Sequence, residues 1–195
     1  MNAAVLHTLG QPPRYEPFAE PSPADGEALV HVHAAALKPL DKARADGSHY
    51  TSMGALPAVA GVDGTGRLDD GSRVVFAFPR PPFGAMAERT VVARSRCLPV
   101  PDGIDDVTAA AVFNPGLSAW GSLTWRAQLA PGETVLILGA TGATGQLEAW
   151  MDAYQQLMAR VARGELRLDI ETVPLAEVET AWQRNARGRR IVFVP

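Results

Sequence analysis

The chain has 195 residues, 47% hydrophobic and 20% charged, with a formal net charge of −3. This is ordinary globular composition, long enough for one large or two small domains with a real core. The balance excludes the basic footprint of a nucleic-acid binder, and a single cysteine, Cys97, excludes an internal disulfide and a multi-cysteine metal site.

In chain order, the first half alternates short apolar runs with turns. Ala3–Leu6, Glu27–Val32, Arg73–Phe78 and Ala87–Val92 read as strands of four to six residues. Turn residues separate them, as in Pro23-Ala24-Asp25-Gly26 and Asp69-Asp70-Gly71. Many short strands with glycine-rich turns predict a compact, barrel-like β domain, interrupted by one helix from about Pro39 to Ala45. Cys97 lies at the exit of a strand and reads as a small buried hydrophobe. His31 and His33 share one strand face. With no third ligand in view, that face reads as surface or partly buried, not as a metal site.

The texture changes near Asp102. Asp105 and Asp106 precede an alanine-rich run, which predicts a helix start. Asn114-Pro115-Gly116 predicts its break, and a second helix is expected over Leu117–Arg126. Thr134–Leu138 is a fully apolar strand of the buried parallel type. Leu147, Trp150, Met151, Tyr154, Leu157, Met158 and Val161 then form one apolar stripe, predicting a single helix over roughly Thr144–Arg163 that stops at Gly164. Leu166, Leu168 and Ile170 alternate as a strand. Leu175–Asn185 reads as a helix and Arg189–Val194 as the last strand. The basic stretch Arg184–Arg190 reads as a solvated helix end. The N-terminus lacks a charged segment followed by an apolar run, and no apolar stretch reaches about 18 residues. The expectation is a cytoplasmic protein with no signal peptide and no membrane partner.

Between the parallel-type strand and the long helix stands Gly139-Ala140-Thr141-Gly142-Ala143-Thr144-Gly145. Glycine at every third position suits a dinucleotide phosphate loop. Gly139 permits the tight turn, Gly142 lets backbone N–H groups approach a pyrophosphate, and Gly145 lets helix and strand pack closely. The helix N-terminus adds unsatisfied donors and partial positive charge. The same pattern also serves as a tight strand-to-helix turn without a ligand. A dinucleotide site needs further parallel strands. Here the helix leads to only one, Leu166–Thr172, whose Asp169 would have to act as the ribose acid.

Several stretches together resemble the zinc-independent quinone oxidoreductases of the medium-chain dehydrogenase/reductase superfamily. They are Ala34-Ala35-Ala36-Leu37-Lys38-Pro39-Leu40-Asp41, Leu56–Gly66, Gly71-Ser72-Arg73-Val74, Phe83–Glu88 and the Gly139–Gly145 loop. From about Glu148 the chain resembles the family's C-terminal return, with Gly164-Glu165-Leu166, Pro174–Val178 and Gly188–Val192. The resemblance implies an α/β fold of α+β character. It comprises a GroES-like β-barrel catalytic domain over 1–130, a remnant of a Rossmann dinucleotide-binding domain over 131–147, and the return over 148–195. Such enzymes run to about 300 residues or more, so most of the nucleotide domain is missing between Leu147 and Glu148.

In the intact family the implied reaction is hydride transfer from NADPH to a quinone or enone, with no metal. Where zinc-holding relatives carry ligands, this chain has Leu37-Lys38-Pro39 and Gly61-Val62-Asp63-Gly64, without Cys or His. The resemblance places Lys38 and Asp41 on the active cleft, and Tyr50 is a candidate to border the substrate pocket or else a surface aromatic. Cofactor-binding candidates are Gly139, Thr141, Gly142, Ala143, Thr144 and Gly145. Asn114 and Ser118 join them on the segment resembling the nicotinamide-side helix, and with Trp120 they read equally as a helix cap and packing. The resemblance also implies a homodimer. Three readings stay open: a family member with impaired or absent cofactor binding, a small reductase completed by oligomerisation, and a non-catalytic binding or scaffold module.

Overall fold

The computed structural model describes residues 1–52, 54–128, 130, 156, 158–165, 169–184 and 189–195. Ten strands are described: β1 (Asn2–Leu6), β2 (Arg14–Pro17), β3 (Glu27–Ala36), β4 (Ala58–Val59), β5 (Asp63–Leu68), β6 (Arg73–Ala77), β7 (Arg89–Ala93), β8 (Cys97–Pro99), β9 (Ile170–Pro174) and β10 (Arg190–Val194). Helices α1 (Pro39–Asp46), α2 (Asp106–Trp120) and α3 (Val178–Trp182) join them.

A three-stranded sheet runs β2-β1-β4, and a seven-stranded sheet runs β8-β6-β5-β3-β10-β9, with β7 also on β3. The two sheets share one core. Leu6 of β1, Val30 and Val32 of β3, Phe76 of β6 and Val92 of β7 pack with Val173, Leu175, Val178, Trp182, Ile191 and Phe193 of the C-terminal segment. The chain end is therefore part of the same hydrophobic core as the first strand. β10 pairs antiparallel with β3 and parallel with β9.

β3 is ten residues long, four more than its alternating pattern predicts. Its first half pairs with β7 and its second with β10, so Ala34, Ala35 and Ala36 are buried and carry no alternation to read. β5 is absent from the sequence-based expectation, because Gly64 and Gly66 dilute its strand signal. It nevertheless lies between β3 and β6. A Cβ at Gly66 would stand 2.2 Å from the His31 carbonyl oxygen, so glycine is what lets β3 come this close.

The expected break at Asn114-Pro115-Gly116 does not occur. α2 continues through Pro115 to Trp120 and then winds as π-helical turns over Gly121–Arg126. Pro115 lacks an N–H and its ring crowds the carbonyl four residues back, yet Ala109, Ala110, Ala111, Val112 and Phe113 are all buried and hold the helix to the sheet. Asp105 caps α2, its side chain accepting from the Thr108 N–H at 2.8 Å. The predicted helix over 175–185 is shorter, a 3₁₀ turn at Leu175–Glu177 followed by α3.

Of the predicted helix over 144–163, residue 156 and residues 158–162 are described and helical. Met158 is fully buried against Val75, Leu98, Val112 and Phe113. Gly164, at φ 72°, takes the left-handed conformation that ends this helix. The strand over 134–138, the glycine loop and the 147/148 junction lie outside the described residues.

Cys97 opens β8 and is half-buried. Burial pushes its thiol up to about 11, against a smaller opposing pull from Arg94. The nucleophile is the thiolate. Alkylation by iodoacetamide at pH 8 is therefore expected to run about a hundredfold slower than for free cysteine, by time-resolved mass measurement. A rate within fivefold of free cysteine would contradict the burial.

Candidate functional site

β3 ends at Ala36, and the chain turns at Leu37-Lys38 into α1. This turn carries the densest group of buried charge among the described residues. The Lys38 side chain is 3% exposed, Asp41 0% and Asp63 1%. The Lys38 Nζ donates to the Ala36 carbonyl at 2.7 Å and to Asp63 Oδ1 at 3.0 Å, and lies 3.2 Å from Asp41 Oδ2. Asp41 is also a local anchor. Its Oδ2 accepts from the Lys38 backbone N–H at 2.9 Å, and its Oδ1 accepts from the Val62 N–H at 3.0 Å. Asp63 Oδ2 is buried with no hydrogen-bond partner among the described residues.

The electrostatics follow from this packing. Burial by itself would push the Lys38 ammonium down, but the Asp41 and Asp63 carboxylates outweigh it and hold it above the ordinary lysine value. Burial pushes the Asp63 carboxyl up, and the neighbouring Lys38 offsets only part of that. Arg190 adds a further favourable charge for Asp63, and its guanidinium donates to the Leu37 carbonyl at 3.1 Å. The site thus joins the end of β3, the first turn of α1, the start of β5 and the start of β10.

Lys38 and Asp41, expected on the cleft from the resemblance, are brought together here, with the ammonium turned into the protein. Sequence reasoning missed Asp63 as a partner and noted it only as a residue that is neither Cys nor His. The signal was available: an aspartate inside the apolar stretch Val59–Gly66 needs a counter-charge if that stretch is buried. Tyr50 is not part of this group. It lies in the loop after α1, 84% exposed, with its ring 4.3 Å from that of His49.

Asn114 and Ser118 are half-buried, one turn apart on α2, and the Ser118 hydroxyl donates to the Asn114 carbonyl at 3.1 Å. This bond is internal to the helix. The Arg160 guanidinium lies over the Trp120 ring at 5.0 Å, linking α2 to the helical run at 158–162. Ala110 and Ala111 of α2 pack on Ala34 and Ala36, so α2 crosses β3 just ahead of Lys38. Gly139, Thr141, Gly142, Ala143, Thr144 and Gly145 lie outside the described residues.

His31 and His33 do not act together. His31 faces Asp69 at 3.1 Å on the surface. His33 meets Asp106 at 2.7 Å, and Arg73 reaches the other oxygen of the same carboxylate at 2.8 Å, fixing the start of α2. Among the described residues, no group of three or more His, Cys, Asp or Glu side chains is placed to hold a metal ion, and no helix is long and apolar enough to cross a membrane.

No family model matches the chain. A quinone oxidoreductase of Pseudomonas aeruginosa is 35% identical over 179 residues, an alignment taking in 87% of this chain and 52% of the relative. The crystal structure of the quinone oxidoreductase from Thermus thermophilus, also solved in complex with NADPH, superimposes with a TM-score of 0.65 at 30% identity. It covers 88% of this chain and 53% of that one. The quinone oxidoreductase from Coxiella burnetii gives a TM-score of 0.85 at 16% identity, covering 100% of this chain and 99% of that one, a likeness of fold. The chain spans about half the length of the relatives it matches in sequence.

Proposed function

We propose that this chain, a shortened relative of the quinone oxidoreductases of the medium-chain dehydrogenase/reductase superfamily, retains the substrate-side half of such an enzyme and binds NADPH weakly or not at all. The domain division over 1–130, 131–147 and 148–195 is part of this proposal. The retained half keeps the small quinone or enone as its ligand class.

The pairing of β9 is the observation that carries the reading. In a working dinucleotide fold, the strand after the phosphate-loop helix lies beside the loop's own strand and carries the ribose acid. Here the next described strand, β9, runs parallel to β10, which is itself fastened to β3. Its core residue Val173 belongs to the main hydrophobic cluster. Asp169, just before β9, accepts the Arg190 N–H through its carbonyl at 2.7 Å and so begins the β9–β10 ladder. That placement supports β9 as part of the return to the sheet and not as a ribose-binding strand. A phosphate loop without a completed crevice offers a few backbone donors and a helix dipole, worth at most about 2 kcal/mol from the dipole in favourable settings. That falls far short of the roughly 8 kcal/mol behind a micromolar Kd.

Calorimetric titration of the purified chain with NADPH is expected to show no saturable binding up to about 100 μM, which would correspond to no more than roughly 5.5 kcal/mol. A micromolar Kd that Gly142→Asp abolishes would overturn the proposal and favour a reductase completed by oligomerisation.

A further inference from the structure

α1 is a helix with almost no apolar hold on the protein. Its buried residues are Asp41 and Ala45, with Leu40 and Ala43 half-buried. A surface helix is ordinarily seated by an apolar stripe of three to four residues per two turns. This helix has one fully buried methyl and one fully buried carboxylate. What fastens its first turn is the charged group described above: Asp41 to the Val62 N–H, and Lys38 to Asp63 and the Ala36 carbonyl.

The far end of α1 in turn carries the loop that follows. The His49 N–H donates to the Ala43 carbonyl at 3.2 Å, and Arg44 Nε donates to the Thr51 carbonyl at 2.9 Å. The Ser48 N–H donates to Asp46 at 2.8 Å, and the Gly10 N–H ties the Ala45 carbonyl to the segment after β1. The loop makes its bonds to α1, so its position follows the helix. At its tip the Tyr50 ring lies against His49 and is otherwise open to solvent.

We propose that Lys38 is the positioning residue for the His49–Tyr50 loop: its buried ammonium, held between Asp41 and Asp63, seats α1 by charge, and α1 places the loop. This rests on the reading of this half as the substrate side, where that loop is expected to border the acceptor. It assigns the otherwise inaccessible lysine to positioning, not to contact with a ligand. Charge is the operative property, so removing the cation alone leaves two buried carboxyl groups without their counter-charge at the first turn of α1. Removing one carboxylate with it restores balance.

The test is chymotryptic cleavage after Tyr50 under native conditions at pH 7.5, without cofactor, with cleavage after the buried Trp182 as the internal reference. Lys38→Met is expected to speed cleavage after Tyr50 tenfold or more while cleavage after Trp182 stays within twofold. Lys38→Met with Asp63→Asn is expected to return the Tyr50 rate to within threefold of wild type. Equal acceleration at Tyr50 and Trp182 would show general destabilisation and overturn the positioning role. A double variant as fast as Lys38→Met would overturn the role of charge, and so would no acceleration in the single variant. If Lys38→Met does not fold, the double variant decides. Wild-type cleavage supports the proposal, and an unfolded double variant overturns it. NADPH is absent throughout, so this result stands or falls separately from the cofactor titration.

Discussion

Replacing Phe193 by alanine is expected to destabilise the protein by about 3–5 kcal/mol, the range for truncating a buried aromatic. Phe193 is 0% exposed and lies opposite Ala35 of β3 on one side and Val173 of β9 on the other. Its ring belongs to the cluster shared by β1, β3, β6 and β7. With small residues such as Ala4, Ala35 and Ala60 in that cluster, the neighbours have few atoms with which to fill the void, so the cavity contribution stays high. Net stability of a domain is commonly about 5–15 kcal/mol, so the loss is a large share of the total. At roughly 2–4 °C per kcal/mol for a chain of this size, thermal unfolding followed by circular dichroism should fall by about 6–20 °C. A fall below about 3 °C would mean that the C-terminal strand is not integral to the core.

Gly66→Ala is expected to cost as much as or more than the roughly 1–3 kcal/mol typical of overpacking. The added methyl would lie 2.2 Å from the His31 carbonyl oxygen and 2.8 Å from a Val30 methyl. Neither neighbour can yield cheaply. The first is backbone in the middle of β3, and the second is fully buried. Relief requires β3 and β5 to separate where the ladder already shifts register between Val32 and Ala34. Gly54→Ala is the matched control, because a Cβ there meets nothing within 4 Å. It should lie within about 0.5 kcal/mol of wild type, as surface substitutions usually do. Urea unfolding of both variants gives the comparison, and equal midpoints would refute the close strand approach.

The family resemblance is carried by residues the fold uses in identifiable ways. Gly61 through Gly66 bring β4 and β5 against their neighbours, Lys38 and Asp41 begin α1, and the final apolar run becomes β10. The comparisons place the chain among quinone oxidoreductase relatives and give the same α/β fold. Strands with clean alternation or long apolar runs were legible: β1, β6, β7, β10 and the first half of β3. β2, β4 and β8 were missed because each has only two to four residues and no full period to detect. Pro115 misled because helix propensity is a local quantity, whereas the five buried residues before it answer to the sheet beneath them.

By itself, the sequence determined the α/β class of the protein and the order of most of the described elements. These are properties of neighbours along the chain, where period and turn chemistry act. Only the tertiary structure decided that Lys38 points inward to Asp63, 25 residues away, and that β9 joins β10. It also decided that the last strand closes the core begun by the first. Those facts depend on which charges and edges meet after folding. A lysine's choice between solvent and a buried carboxylate is set by local desolvation and distance, and neither quantity exists until the chain has closed.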